Sequence, residues 1–140
     1  MMRALLLLLI ICSAHAGASE ILRVAVAANF RGTLEHINQR YQAQSGQEIR
    51  LSSASTGVLA SQLQHGAPFD LFFSADRAAP QQLLDAGIGQ SATCYAHGQL
   101  ALVGGGLEAL KDPQPTLAIA NPVTAPYGRA AEEVLARTEF

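Results

Sequence analysis

Three short stretches place hydroxyl or amide donors where an apolar run gives way to a helical pattern: Ala28-Asn29, Ser55-Thr56-Gly57 and Tyr127-Gly128. Each sets neutral donors beside the free N–H groups and positive dipole end of a following helix. Brought together, they would hold a fully deprotonated oxyanion through neutral hydrogen bonds. A dianion with four acceptor oxygens needs donors on every side, because one acceptor cannot satisfy another. None of the three stretches contains Asp or Glu. A protonated phosphate wants an acceptor for its proton and fits less well. For each turn taken singly, the ordinary alternative is helix capping by Ser, Thr or Asn.

Other chemistries are less well supplied. Ser74 and Asp76 can be drawn with His65 or His97 as a hydrolytic triad, but there is no G-x-S-x-G elbow. Ser74-Ala75-Asp76 reads instead as a strand end and helix cap. His36, His65 and His97 lie far apart without cysteine or carboxylate at ligand spacing, so no cation site is expected. Asp70 and Asp76 read as capping or loop-bonding carboxylates. Tyr41, Tyr95 and Tyr127 are not adjacent, which argues against an iron site.

The elements that must position these turns follow from periodicity. Arg23–Ala27 is short, apolar and β-branched at Val24 and Val26, as suits a strand covered on both faces. Leu34, Ile37 and Tyr41 then mark the inner face of a helix that Ser45-Gly46 ends. Glu48–Ser52 alternates as a second strand. Val58–Gln64 follows as a helix with Val58, Leu59 and Leu63 inward, closed by His65-Gly66. Asp70–Phe73 is a third strand and Pro80–Ala86 a short helix closed by Gly87. This β-α-β-α-β-α order predicts the α/β class, with a doubly wound, mostly parallel sheet. Ligands of such sheets bind at the carboxyl ends of the strands, where the donor turns lie.

The rhythm changes after Gly89. Gln90–Tyr95 has no period and links two units. Gln99–Val103 and Thr116–Ala120 read as buried strands, and Leu107–Asp112 as a loop or short helical turn. Arg129–Arg137 reads as a helix with Ala130, Val134 and Leu135 inward, and Glu132 and Glu133 outward near its N-terminal end. Two strands and one long helix are too few to bury a core of their own. The 140-residue sequence is therefore expected to be part of a longer protein, or a non-functional fragment of one.

Residues 1–16 read as a secretory signal peptide: Met1-Met2-Arg3, the apolar Ala4–Ile11 and the small-x-small Ala14-His15-Ala16. The apolar run is short for a membrane span, and Ile11 is a poor residue before a lipidated Cys12. Without this segment, eight basic face eleven acidic side chains, and no basic run of the kind nucleic acid demands is present. An anion would have to be held by local dipoles. Cys94 is then the single remaining cysteine, which excludes an internal disulfide. It reads as a half-buried small hydrophobe.

VAVAANF, SASTGVLASQL, GAPFDLFFSAD and AIANPVTAPYG, in this order from about Ile21 onward, resemble the periplasmic molybdate-binding proteins of ABC importers. The resemblance implies a type II periplasmic binding fold with the oxyanion in a cleft between two lobes. The expected division is 1–16 signal peptide, 17–89 lobe one, 90–98 linker and 99–140 the start of an incomplete second lobe. It implies contacts from Ala28 and Asn29, then Ser55 and Thr56, then Ala125 to Tyr127. Asn29, Thr56 and Tyr127 would donate from side chains, and Ala28 and Ser55 mainly from the backbone. It further implies molybdate or tungstate as ligand in preference to sulfate, and no cofactor. It also implies a monomeric, non-enzymatic periplasmic binder that closes on its ligand and docks on a membrane permease. Sulfate or another anion is the alternative within the exported binders. Regulator effector domains share the architecture, but the signal peptide argues against them.

Overall fold

The computed structural model describes residues 20–111 and 116–137. The signal-peptide reading of residues 1–16 lies outside them. Three parallel strands, β1 (Leu22–Ala27), β2 (Ile49–Ala54) and β3 (Leu71–Phe73), form one sheet in the order β2-β1-β3. Register runs from Leu22 opposite Ile49 to Ala27 opposite Ala54, and from Val24 opposite Leu71 to Val26 opposite Phe73. The helices are α1 (Arg31–Ser45), α2 (Thr56–Gln64), α3 (Ala78–Asp85) and α4 (Pro126–Leu135). This is the parallel α/β arrangement expected from the alternating elements.

The central strand carries the core. Val24, Ala25, Val26 and Ala27 are all buried, as a strand covered on both faces requires. Val24 and Val26 pack with Leu34 of α1, and Leu22, Phe30, Ile49, Leu51 and Phe73 close around them. Strand alternation puts Ala25 and Ala27 on the other face. Their small side chains suit the close approach of α2, which contacts both β1 and α3. Leu59 of α2 and Ala79 and Leu83 of α3 are buried there. The start of β3 is pinned to β1 by two bonds: Asp70 N–H donates to the Arg23 carbonyl (2.8 Å) and the Arg23 N–H to the Asp70 carboxylate (2.7 Å). Asp70 is thus the loop-bonding carboxylate its position suggested, one residue ahead of the strand.

Several expectations need correction. Ile37 and Tyr41 are each 50% exposed, and Val58 is 41% exposed. Their helical faces are apolar, but no described element covers those stretches. Gln99–Val103 and Thr116–Ala120 are not strands: they pair with nothing in the described sheet and leave Leu100, Leu102, Val103, Leu117 and Ile119 exposed. An apolar run becomes a strand only where a ladder partner lies beside it. Residues 107–111 form a 3-10 turn, within the loop-or-turn reading. The last helix begins at Pro126, because the fixed φ and missing N–H of proline suit the first helical position. This shift places Tyr127 and Gly128 inside the helix. It also puts Glu132 and Glu133 in its second half, away from the N-terminal end where they were expected.

Candidate functional site

Three turns leave the sheet at one edge, each where a parallel strand ends; two of them carry the expected donors, whereas Tyr127-Gly128 follows no strand and lies within α4. A 3-10 turn, Ala28–Phe30, follows β1. Ser55 follows β2 in extended backbone geometry and is the N-cap of α2, its carbonyl accepting from Leu59 N–H (3.1 Å). The Ser55 hydroxyl makes no capping bond. Ser74-Ala75-Asp76 follows β3. No first turn of α1 to α4 carries an acidic residue, so no first-turn carboxylate offsets the positive dipole ends of α1, α2 and α4.

Thr56 is 2% exposed, and its Oγ1 accepts the Ala75 N–H (3.0 Å), tying α2 to the turn after β3. Having accepted, the hydroxyl retains its own proton to donate. It lines a cleft of about 390 Å³ with Gly57, Ser61, Asp76 and Arg129. Tyr127, partly buried on α4, lines a neighbouring cleft of about 220 Å³ with Ala75, Asp76 and Gly98. Asn29 and Ala28 are exposed and line neither cleft. The structure therefore sets the candidate residues along one edge without enclosing Asn29, Thr56 and Tyr127 in a single cavity. Ala125 is the N-cap of α4. Its N–H is taken by the Asn121 carbonyl (2.8 Å), so its backbone donor is committed to the turn itself.

Close backbone approaches join α4 and its preceding turn to the rest. Gly57 N–H donates to the Thr124 carbonyl (3.1 Å), and a Cβ at Gly57 would stand 3.2 Å from that oxygen. A Cβ at Gly98 would stand only 2.0 Å from the Tyr127 hydroxyl, so the absence of a side chain there makes room for the phenol.

Reading the sequence alone missed two features. The first is an ion pair between Asp76 and Arg129, whose Nη2 donates to Oδ2. Asp76 Oδ1 accepts from Ala79 N–H (3.0 Å) and from the Ser74 hydroxyl (3.2 Å), so the carboxylate also caps α3. Asp76 lines both clefts, and Arg129 balances its charge where an anion would otherwise be repelled. Capping was legible from Ser74-Ala75-Asp76; a partner 53 residues away was not.

The second is an aromatic cluster. The Tyr95 ring lies 4.9 Å from that of Phe30 and 5.3 Å from that of Phe73, and its hydroxyl donates to the Ser74 carbonyl (2.7 Å). Burial first, then the neighbouring Tyr127 phenol and Cys94 thiol, hold the Tyr95 phenol above its ordinary value of 10.0. The folded chain binds this proton more tightly than the unfolded chain. The associated stability is full below the ordinary value and is lost as pH rises through the folded one. Tyr95→Phe is expected to flatten the fall in urea-denaturation stability between about pH 9 and about pH 11. At neutral pH it should cost about 0.5–1.5 kcal/mol, for the lost bond to Ser74. Cys94 itself is exposed, contrary to the half-buried position expected of it.

Comparison with known proteins agrees with this architecture. The molybdate-binding protein ModA of Azotobacter vinelandii is 38% identical over 139 residues, covering 92% of this chain and 54% of that protein. The molybdate-binding protein ModA of Rhodobacter capsulatus is 34% identical over 129 residues, covering 86% and 51%. The chain thus spans about half the length of the curated relatives it matches. A solved structure of the Azotobacter vinelandii periplasmic molybdate-binding protein superposes with a TM-score of 0.71 at 35% identity, covering 81% of this chain and 54% of that one. The family described as bacterial extracellular solute-binding protein matches residues 22–140. On a match of this extent, the chain belongs to the bacterial extracellular solute-binding protein family.

Proposed function

We propose that this chain is the oxyanion-capturing part of an exported, non-enzymatic solute-binding protein that delivers molybdate or tungstate to the permease of an ABC importer. The observation that carries the reading is the gathering of donor-bearing β-to-α turns at one sheet edge, in a chain whose matched relatives are molybdate-binding proteins. Thr56 and Tyr127 donate from the two clefts, Asn29 from the turn after β1, and Ala28 and Ser55 mainly from the backbone at the helix entrances. The two clefts share Asp76, and an anion between them would draw Thr56 and Tyr127 toward one guest. Residues 17–89 are the first lobe, 90–98 the linker and 99 onward the second, with closure over the anion producing the form the permease recognises. Residues 1–16 direct export to the periplasm, and the chain acts there as a monomer without nucleic acid or a bound cofactor.

Calorimetric titration of the chain from residue 17 with molybdate, tungstate and sulfate tests this. Molybdate and tungstate are expected to bind at least about tenfold more tightly than sulfate, a difference of about 1.4 kcal/mol. Asn29→Ala, at an exposed position, should weaken molybdate by about 0.5–1.5 kcal/mol. Absence of binding heat with all three anions would overturn the reading.

A further inference from the structure

We propose, building on the oxyanion reading, that Tyr95 is the positioning residue of the site: one side chain that holds the turns bearing Asn29, Thr56 and Tyr127 in register. Tyr95 sits in a stretch, residues 91–100, that has no regular structure and is exposed at every position. Without a backbone ladder, such a stretch is located by its side-chain contacts. Those of Tyr95 are specific. Its ring lies tilted against Phe30 at 4.9 Å and edge-on to Phe73 at 5.3 Å, and those two rings stack at 6.0 Å.

From this seat Tyr95 connects to each of the three candidate donors. Phe30 closes the 3-10 turn and directly follows Asn29. The Tyr95 hydroxyl holds the Ser74 carbonyl at 2.7 Å, and the next residue, Ala75, donates its N–H to Thr56 Oγ1. The link to Tyr127 runs along the chain that follows Tyr95. Three residues further on, Gly98 leaves the space that the Tyr127 hydroxyl occupies. Removing the ring would leave Phe30 and Phe73 without a lid and the 90–98 stretch without its anchor. Gly98 would then move away from Tyr127. The ring supplies the packing, and the hydroxyl fixes the turn after β3, where strand pairing has already ended.

The test compares Tyr95→Leu and Tyr95→Phe with the unaltered chain, by amide exchange in NMR and by titration with molybdate and sulfate. In Tyr95→Leu, exchange of the Ala75 and Gly57 amides should quicken by about tenfold or more, while the β1 amides paired with β2 stay protected. Molybdate affinity should fall by about tenfold or more and the molybdate-to-sulfate ratio should narrow, which a uniform loss of folded protein would not cause. Tyr95→Phe keeps the ring and should stay within about threefold of the unaltered affinity, with faster exchange at Ala75 alone. Unchanged Ala75 and Gly57 exchange in Tyr95→Leu would overturn the proposal, as would faster exchange with affinity and ratio intact. Should Tyr95→Leu also expose the β1 amides, Tyr95→Phe decides, and an unchanged Ala75 amide there counts against positioning. If the unaltered chain binds neither anion, the oxyanion reading fails, and the exchange rates alone uphold or reject the role of Tyr95.

Discussion

Thr56→Ala is expected to weaken molybdate binding by about 1.5–3 kcal/mol, roughly ten- to a hundredfold, the usual loss when a charged ligand forfeits one buried donor. Thr56 is the most deeply buried of the candidate donors, at 2% exposure, and it lines the larger of the two clefts. The hydroxyl has two tasks, accepting the Ala75 N–H and donating toward the cleft. Three substitutions separate these tasks from the methyl packing. Thr56→Ser keeps both hydrogen bonds and should bind within about threefold of the unaltered chain. Thr56→Val keeps the shape, strands the Ala75 N–H and should lose affinity as alanine does. Calorimetric titration of all three, beside urea denaturation, distinguishes lost binding from lost folding. Equal affinity across the series would remove Thr56 from the site.

Gly128→Ala carries the other large effect, on structure first and binding second. A Cβ there would stand 2.3 Å from the Ala120 carbonyl oxygen and 2.8 Å from the carbonyl carbons of Ala120 and Asn121. These are backbone atoms, so no side chain can rotate away, and the first turn of α4 must lift. Overpacking of this kind costs about 1–3 kcal/mol. Lifting α4 also moves Tyr127 out of its cleft and draws Arg129 from Asp76, leaving the cleft carboxylate unbalanced. Loss of molybdate affinity is expected together with a lower urea midpoint. Gly32→Ala is the matching control: it lies in α1 with nothing within 4 Å of the added carbon, and should stabilise by about 0.5–1 kcal/mol. If Gly128→Ala behaved like Gly32→Ala, α4 would not be docked as described.

By itself the sequence determined the α/β class, the three parallel strands and the turns that follow them. Those features are local. Val24 and Val26 declare a doubly covered strand by their own chemistry, Gly46 ends α1 in the left-handed conformation that glycine adopts freely, and Ser55 stands in extended backbone at the N-cap position of α2. The donor-bearing turns after β1 and β2 were legible for the same reason, since neutral donors and missing carboxylates can be read without knowing what they face.

Tertiary structure alone decided which apolar faces are covered and which donors are free. Ile37, Tyr41 and Val58 have the spacing of core residues yet meet solvent, and two strand-like runs remain unpaired, because burial and ladders need partners supplied by other elements. The Asp76–Arg129 pair, the seat of Tyr95 between Phe30 and Phe73, and the committed N–H of Ala125 are set by contacts or turn geometry that residue spacing does not report. Periodicity shows what a segment can bury, whereas only the packed chain determines what lies against it.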